Sequence, residues 1–110
     1  MLPLLAPALA CGLAGPEPGY SIHVRELTAP ERVVRVRLTA DEAVLDAVAR
    51  LREPPADMGR VDVWAARPGP GGTPEVLPVD WAGITGWGRT RTNFQLRPRD
   101  RLFLQRRVSE

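Results

Sequence analysis

The spacing of apolar residues divides the chain into strand-like and helix-like segments. Apolar and polar side chains alternate in Ser21–Leu27 and again in Arg32–Leu38, and the residues between them, "TAPE", suit a turn. Because successive side chains of a strand point to opposite faces, the first run places Ile22 and Val24 on one face and His23 on the other. Two alternating runs around a short turn predict a β-hairpin.

The next segment, Thr39–Leu51, has the helical period instead. Its apolar stripe consists of Val44, Leu45, Val48 and Leu51. Thr39 and Glu42 match a capping box, in which each side chain accepts a hydrogen bond from the backbone amide of the other residue. Asp46 and Arg50 are spaced to pair across one helical turn. Two prolines follow the stripe and end the predicted helix.

The second half of the chain returns to the strand pattern. Arg60–Pro68 and Pro74–Trp81 predict two strands separated by a glycine-rich turn. Pro78 has no amide proton to donate, so the second of these strands belongs at a sheet edge or at a bulge. A short helical turn capped by Asp80 comes next, and Arg101–Gln105 predicts the last strand.

The order of elements is therefore hairpin, helix, hairpin, helical turn and strand. A single helix of this kind can cover one face of a small sheet. We expect an α+β fold of the β-grasp type, in which one helix covers a mixed sheet of about four or five strands. A short helical turn should precede the last strand. The single domain should span residues 21–108, after a separate segment at residues 1–20.

The segment at residues 1–20 consists of an apolar stretch and a Pro/Gly linker. "MLPLLAPALACGLAG" is uncharged, apolar and rich in small residues, like the apolar part of a secretory signal. A cysteine after "ALA" resembles a bacterial lipobox, which predicts lipidation of Cys11. The protein would then be periplasmic or envelope-bound, with a lipid anchor as its only membrane contact. The alternative is a cytoplasmic apolar tail with an idle thiol, because no arginine or lysine precedes the apolar run.

Composition narrows the range of functions. The chain has 110 residues, enough for one domain. Its fifteen basic residues are all arginine, thirteen acidic residues oppose them, and the net charge is +2. So small a net charge, spread along the chain, argues against nucleic acid as a partner. One cysteine and one histidine cannot supply a zinc site of the usual kind, so we predict neither metal nor cofactor.

No catalytic residue is predicted, and we expect the protein not to be an enzyme. Ser21 and Ser109 are the only serines, and neither lies in a nucleophile-elbow pattern. "GPGG" is followed by neither a lysine nor a predicted helix, so it is a turn and not a phosphate-binding loop. His23 lies on the polar face of its strand and should be exposed, without an acid–base partner.

Three stretches together resemble a known family. They are "TADEAVLDAVARL", "VDVWAARPGPGGTPEVLPVDWAGIT" and "RTRTNFQLRPRDRLFLQ". They are similar to the soluble-ligand-binding β-grasp (SLBB) domains of bacterial polysaccharide biosynthesis and export proteins, above all the planctomycete versions. The resemblance covers Arg32 to Gln105. One departure is Arg99, which stands where the family's Pro-Gly-Asp turn has glycine.

The resemblance implies a non-enzymatic module of the cell envelope that works with polysaccharide export machinery. Its partner would be a polysaccharide, an export protein or, through edge strands, a second copy of the chain. Protein contact is preferred to sugar, because edge strands offer unpaired amides for β-augmentation. The alternative is a cytoplasmic interaction module that uses its arginines for an acidic partner or nucleic acid. Such a module would lose affinity steeply with salt.

The candidate contact surface is the segment Thr90–Arg101 with the tryptophan before it. The predicted ligand-binding residues are Trp87, Arg89, Arg91, Asn93, Arg97 and Arg99. Guanidinium groups bind carboxylates and phosphates through paired hydrogen bonds, which suits an acidic glycan. The competing interpretation is structural: Asp100 caps a turn, Asn93 and Gln95 satisfy backbone groups, and the arginines form a solvated face.

Trp81 and Trp87 flank the predicted helical turn. Tryptophan rings stack on sugar faces, which suggests a carbohydrate site. Rings in this position also cover the open end of a sheet, and packing of one or both rings is the preferred interpretation.

Overall fold

The computed structural model describes residues 18–38 and 40–108. Its helices and strands are, in chain order, β1 (Gly19–Arg25), β2 (Arg32–Arg37), α1 (Val44–Ala49), β3 (Val61–Arg67), β4 (Glu75–Val79), α2 (Trp81–Trp87) and β5 (Arg101–Arg106). Short 3-10 turns lie at Met58–Arg60 and Pro70–Gly72. Cys11 and the predicted lipobox lie outside the described residues.

The strands form one five-stranded mixed sheet in the order β2-β1-β5-β3-β4. β1 and β5 are parallel, and the other neighbouring pairs are antiparallel. The predicted α+β fold of the β-grasp type, with a mixed sheet and a short helix before the last strand, is confirmed. β4 carries Pro78 and is an edge strand, as the missing amide requires.

The core lies on one face of the sheet, where α1 packs. The parallel neighbours β1 and β5 contribute four side chains to this core, each no more than 1% exposed: Ile22, Val24, Leu102 and Leu104. Val63 and Ala65 of β3 are buried beside them. The predicted inward and outward faces of these strands are therefore confirmed. Burial of one such aliphatic side chain contributes about 1.5–3 kcal/mol, so this face holds the sheet to the helix.

The prediction for α1 was wrong about where the helix begins. The helix spans Val44–Ala49 and not Thr39–Leu51. The residues before it are held extended, because Ala43 forms a β-bridge with Gln95 and the Leu96 amide donates to the Glu42 carbonyl at 2.7 Å. These long-range backbone bonds take the place of the predicted first turn. Thr39, one half of the predicted capping box, lies outside the described residues.

The side-chain contacts around α1 also differ from the prediction. Asp46 accepts a hydrogen bond from the Ala43 amide at 2.9 Å and does not pair with Arg50. Arg50 donates instead to the buried carboxylate of Glu42. On the apolar stripe, Ala47 is fully buried whereas Leu45 is 39% exposed. The later helix start accounts for the new partner of Arg50, since it leaves Glu42 outside the helix and within reach of the Arg50 guanidinium.

Candidate functional site

The sheet face opposite α1 carries a row of side chains that crosses all five strands. Cross-strand pairing gives the order Val33, His23, Phe103, Trp64 and Pro78. The Phe103 ring is stacked between the His23 ring, at 4.7 Å between centroids, and the Trp64 ring, at 5.2 Å. Phe103 is only 8% exposed, so it offers no free ring face to a ligand. The centre of this row is therefore packing and not a ligand-binding surface.

His23 is largely covered, and the prediction of an exposed histidine without a partner was wrong. Its side chain is 16% exposed, and its Nδ1 lies 3.5 Å from Glu31 Oε2. Its Nε2 lies 2.9 Å from Ser21 Oγ. Glu31 has a nearer partner in Arg25, at 2.8 Å. The hydrogen bond from Arg25 lowers the pKa of the Glu31 carboxyl below its ordinary value.

All three tryptophans of the chain line one cleft of about 740 Å³, which we name the tryptophan cleft. Trp64 comes from β3, and α2 supplies Trp81 and Trp87. The predicted cap positions α2, because the Asp80 side chain accepts a hydrogen bond from the Gly83 amide at 3.0 Å. Trp81 packs partly against the core, whereas Trp87 is 73% exposed. Packing thus explains one of the two flanking tryptophans and not the other.

Charged groups border the aromatic surface of the tryptophan cleft. Asp62 and Arg107 line the cleft and form an exposed ion pair of 3.1 Å. The Arg89 guanidinium lies 5.9 Å from the ring centroid of Trp87, within the range of a cation–π contact. Broad apolar rings with a few charged groups suit a sugar, whose C–H face packs on an indole while its hydroxyls bond to the ion pair.

A second cleft, of about 530 Å³, lies along β1, β2 and the start of β5, and we name it the arginine cleft. Arg35, Arg99 and Arg101 line it together with Ser21. Arg35 and Arg101 are both direct cross-strand neighbours of Ser21, one on each side. Within residues 18–38 and 40–108, none of these three arginines has an acidic partner.

A buried ion pair fixes the turn that carries Arg99. Asp100 is fully buried, and its carboxylate accepts two hydrogen bonds from Arg67, at 3.1 and 2.9 Å. These bonds raise the pKa of the Arg67 guanidinium above its ordinary value. The predicted cap is also present, since the Arg97 amide donates to Asp100 Oδ2 at 2.9 Å. The sequence pattern gave no sign of Arg67, because it belongs to a strand thirty-three positions away.

The turn itself has an unusual residue at its third position. The Asp100 amide donates to the Arg97 carbonyl at 3.1 Å, which closes a four-residue turn with Pro98 second. Arg99, in third place, has a φ of 72°. A proline followed by a positive φ is the pattern of a type II turn, where glycine is the ordinary occupant. Arg99 is also the residue that departs from the predicted SLBB-like pattern.

The structure distributes the predicted ligand-binding residues over separate places. Trp87 lines the tryptophan cleft, with Arg89 beside its ring. Arg99 lines the arginine cleft. Arg91 and Arg97 are exposed and border neither of the two clefts. The segment Thr90–Arg101 thus contributes to more than one surface.

Asn93 has a structural contact, as the competing interpretation expected. Its Oδ1 accepts a hydrogen bond from the Leu45 amide at 2.9 Å, in the first turn of α1. Gln95 differs from that interpretation, because its Nε2 donates to the Asp41 side chain at 2.9 Å and not to the backbone. Both side chains tie the loop before β5 to the start of α1.

Sequence reasoning did not identify Ser21, Arg35 and Arg101 as neighbours. The alternating pattern places each of them on the outward face of its own strand. What the pattern lacks is the register between strands, and the parallel pairing of β1 with β5 brings Arg101 next to Ser21. A β-grasp strand order applied to the predicted strands would have been the one available signal.

No protein-family model, curated protein or solved structure matches the chain. In the described part of the chain, no group of His, Cys, Asp and Glu side chains is arranged to hold a metal ion. No helix among those residues is long and apolar enough to cross a membrane. The two clefts and the sequence motifs are therefore the features that bear on function.

Proposed function

We propose that the protein is a non-enzymatic glycan-binding module of cell-envelope polysaccharide export machinery. The observation that carries the proposal is the meeting of all three tryptophans in one cleft, beside the exposed Asp62–Arg107 pair. The export setting is supported by the SLBB-like stretches "LPVDWAGIT" and "TNFQLRPRDRLFLQ". The first of these stretches builds part of the tryptophan cleft.

A glycan suits the surface better than a protein that adds a strand. The two edge strands of the sheet are β2 and β4. Exposed Arg35 and Arg37 on β2 place charge on one edge, and Pro78 removes an amide donor from the other. Charged side chains on one edge and a proline on the other both disfavour the pairing of a further strand. Trp87, in contrast, leaves most of its surface open to a flat apolar ligand.

The Ser21–His23–Glu31 arrangement does not favour a hydrolase. Ser21, His23 and Glu31 are linked in the same sequence as the nucleophile, base and carboxylate of a catalytic triad. Glu31, however, is engaged more closely by Arg25 than by His23. The Ser21 amide donates to the Asp100 carbonyl at 3.1 Å, so it is not available to stabilise an oxyanion. The group is better described as part of a binding surface.

The proposal is tested by titrating the folded protein with a panel of neutral and acidic oligosaccharides, with tryptophan fluorescence and calorimetry as the readouts. Trp87→Ala should lower the affinity about tenfold, because it removes a ring face that packs against the sugar. The fold should survive, since Trp87 is 73% exposed. Leu27→Ala is the matched control, because Leu27 is 57% exposed and does not line the cleft.

Two results would overturn the glycan proposal. One is the absence of binding to every neutral and acidic oligosaccharide in the panel. The other is an equal affinity of wild type and Trp87→Ala for a sugar that does bind. A loss of binding that is as large in Leu27→Ala would place the contact outside the tryptophan cleft.

A further inference from the structure

We propose that the arginine cleft binds the carboxylate or phosphate groups of an acidic glycan, an inference that rests on the proposed function and names its class of ligand. The tryptophan cleft would hold sugar rings, and the arginine cleft would recognise the acidic substituents along the same polymer. Of the arginines predicted to bind a ligand (Arg89, Arg91, Arg97 and Arg99), this proposal keeps Arg99 and adds Arg35 and Arg101 of the sheet.

The register of the sheet places two arginines on either side of one hydroxyl. Ser21 of β1 is paired with Arg35 of β2 and with Arg101 of β5. Adjacent strands are about 4.8 Å apart, so the two arginine Cα atoms are separated by about 10 Å. Two side chains as long as arginine can reach a single oxyanion from opposite sides across that distance. Ser21 lies between them and lines the cleft, with its hydroxyl 2.9 Å from His23 Nε2.

Three of the arginines that line this cleft have no acidic partner among the described residues, whereas seven arginines elsewhere in the fold have one. In the described part of the chain, seven arginines have an acidic partner: Arg25, Arg32, Arg50, Arg60, Arg67, Arg106 and Arg107. Arg35, Arg99 and Arg101 have none there, although all three line the same cleft. Like charges so placed repel one another, and a bound anion relieves that repulsion. Charge complementarity therefore selects a negatively charged ligand.

The backbone conformation of Arg99 is an independent reason to infer a binding site in this cleft. A side chain at a φ of 72° strains the backbone, and glycine would avoid the strain. Strained residues that persist are found above all at functional sites. The buried Asp100–Arg67 pair holds the turn in this conformation, so Arg99 is presented to the cleft by a rigid support. Pre-positioned guanidinium groups bind oxyanions with less loss of conformational freedom.

The test compares three probes on the full chain at low salt: an oligogalacturonate, a neutral galactose oligomer of the same length, and inorganic phosphate. Wild type should bind the uronate oligomer at least tenfold more tightly than the neutral one. The double variant Arg35→Gln/Arg101→Gln should remove that difference and leave binding of the neutral oligomer unchanged. Arg89→Gln/Arg91→Gln removes the same charge from the loop and should retain most of the preference.

Several outcomes would overturn the inference. An equal loss in both double variants would mean that diffuse charge attracts the glycan. Binding of inorganic phosphate without preference for the uronate oligomer would assign the cleft to a free oxyanion. If the neutral oligomer binds through Trp87 and the uronate oligomer binds no better, the inference fails while the proposed function stands. If neither oligomer binds, the inference fails, and the wider oligosaccharide panel decides the proposed function.

Discussion

The guanidinium of Arg67 donates two hydrogen bonds, of 3.1 and 2.9 Å, to the carboxylate of Asp100, and the Asp100 side chain is completely buried. A third bond joins Arg67 to the Gln95 carbonyl at 2.9 Å. This pair connects the end of β3 to the turn before β5. It therefore fixes the place where Arg99 and Arg101 enter the arginine cleft.

Asp100→Asn should destabilise the fold by about 3–5 kcal/mol, because it leaves Arg67 partly buried without its counter-charge. Urea unfolding followed by tryptophan fluorescence measures the change. Asp62→Asn is the matched control: its pair with Arg107 is exposed, so the loss should stay below about 1 kcal/mol. Similar losses in the two variants would show that the buried pair is not the main support of the turn.

Arg99→Gly should stabilise the protein slightly, by roughly 0.5–1 kcal/mol. Glycine relieves the positive-φ strain, although its greater freedom in the unfolded chain offsets part of the gain. Binding of the uronate oligomer should weaken in the same variant. Chemical denaturation and calorimetry on one preparation check both effects, and a fall in stability would contradict the assignment of strain to this residue.

Asn93→Ala should cost about 1 kcal/mol of unfolding free energy, because the Leu45 amide at the start of α1 loses its acceptor. Asn93→Asp keeps an acceptor and places a negative charge near the helix start, so it should be tolerated. Thermal unfolding of both variants gives the comparison. Glycan affinity should be unchanged in Asn93→Asp, and a marked loss there would restore Asn93 as a ligand contact.

Tyr20 should make stability fall at alkaline pH. Burial raises its pKa from 10.0 to about 12, and the neighbouring Glu42 carboxylate adds to the shift. Because the folded pKa is the higher one, the stabilising contribution is fully present below pH 10 and is lost as the pH rises towards 12. We expect a fall of roughly 1–3 kcal/mol across that window.

The ionisation of Tyr20 can be measured without interference, since the chain has no other tyrosine and no lysine that would titrate in the same pH range. Tyrosinate absorbance followed against pH reports this group directly. Urea unfolding at several pH values gives the stability, and Tyr20→Phe should flatten its pH dependence. A Tyr20 that ionises at its ordinary pKa would contradict the burial of its hydroxyl against Glu42.

The amino-acid sequence alone determined which faces of the strands are buried. Alternation at Ile22 and Val24, and again at Leu102 and Leu104, is a local property that follows from the pleat of a strand. Pro78 predicted an edge strand or a bulge, and Asp80 predicted a helix cap, for equally local reasons: a missing amide and a side-chain acceptor. The order of these elements was enough to predict the β-grasp class of fold.

Only the tertiary structure decided which outward-facing residues meet. Bonds between distant parts of the backbone hold Glu42 and Ala43 extended, which moved the start of α1 against its local pattern. Register across the sheet brought Arg35 and Arg101 to Ser21, and the position of α2 gathered the tryptophans in one cleft. Such contacts depend on long-range pairing and on the packing of whole elements, and a period of two or 3.6 residues carries no information about either.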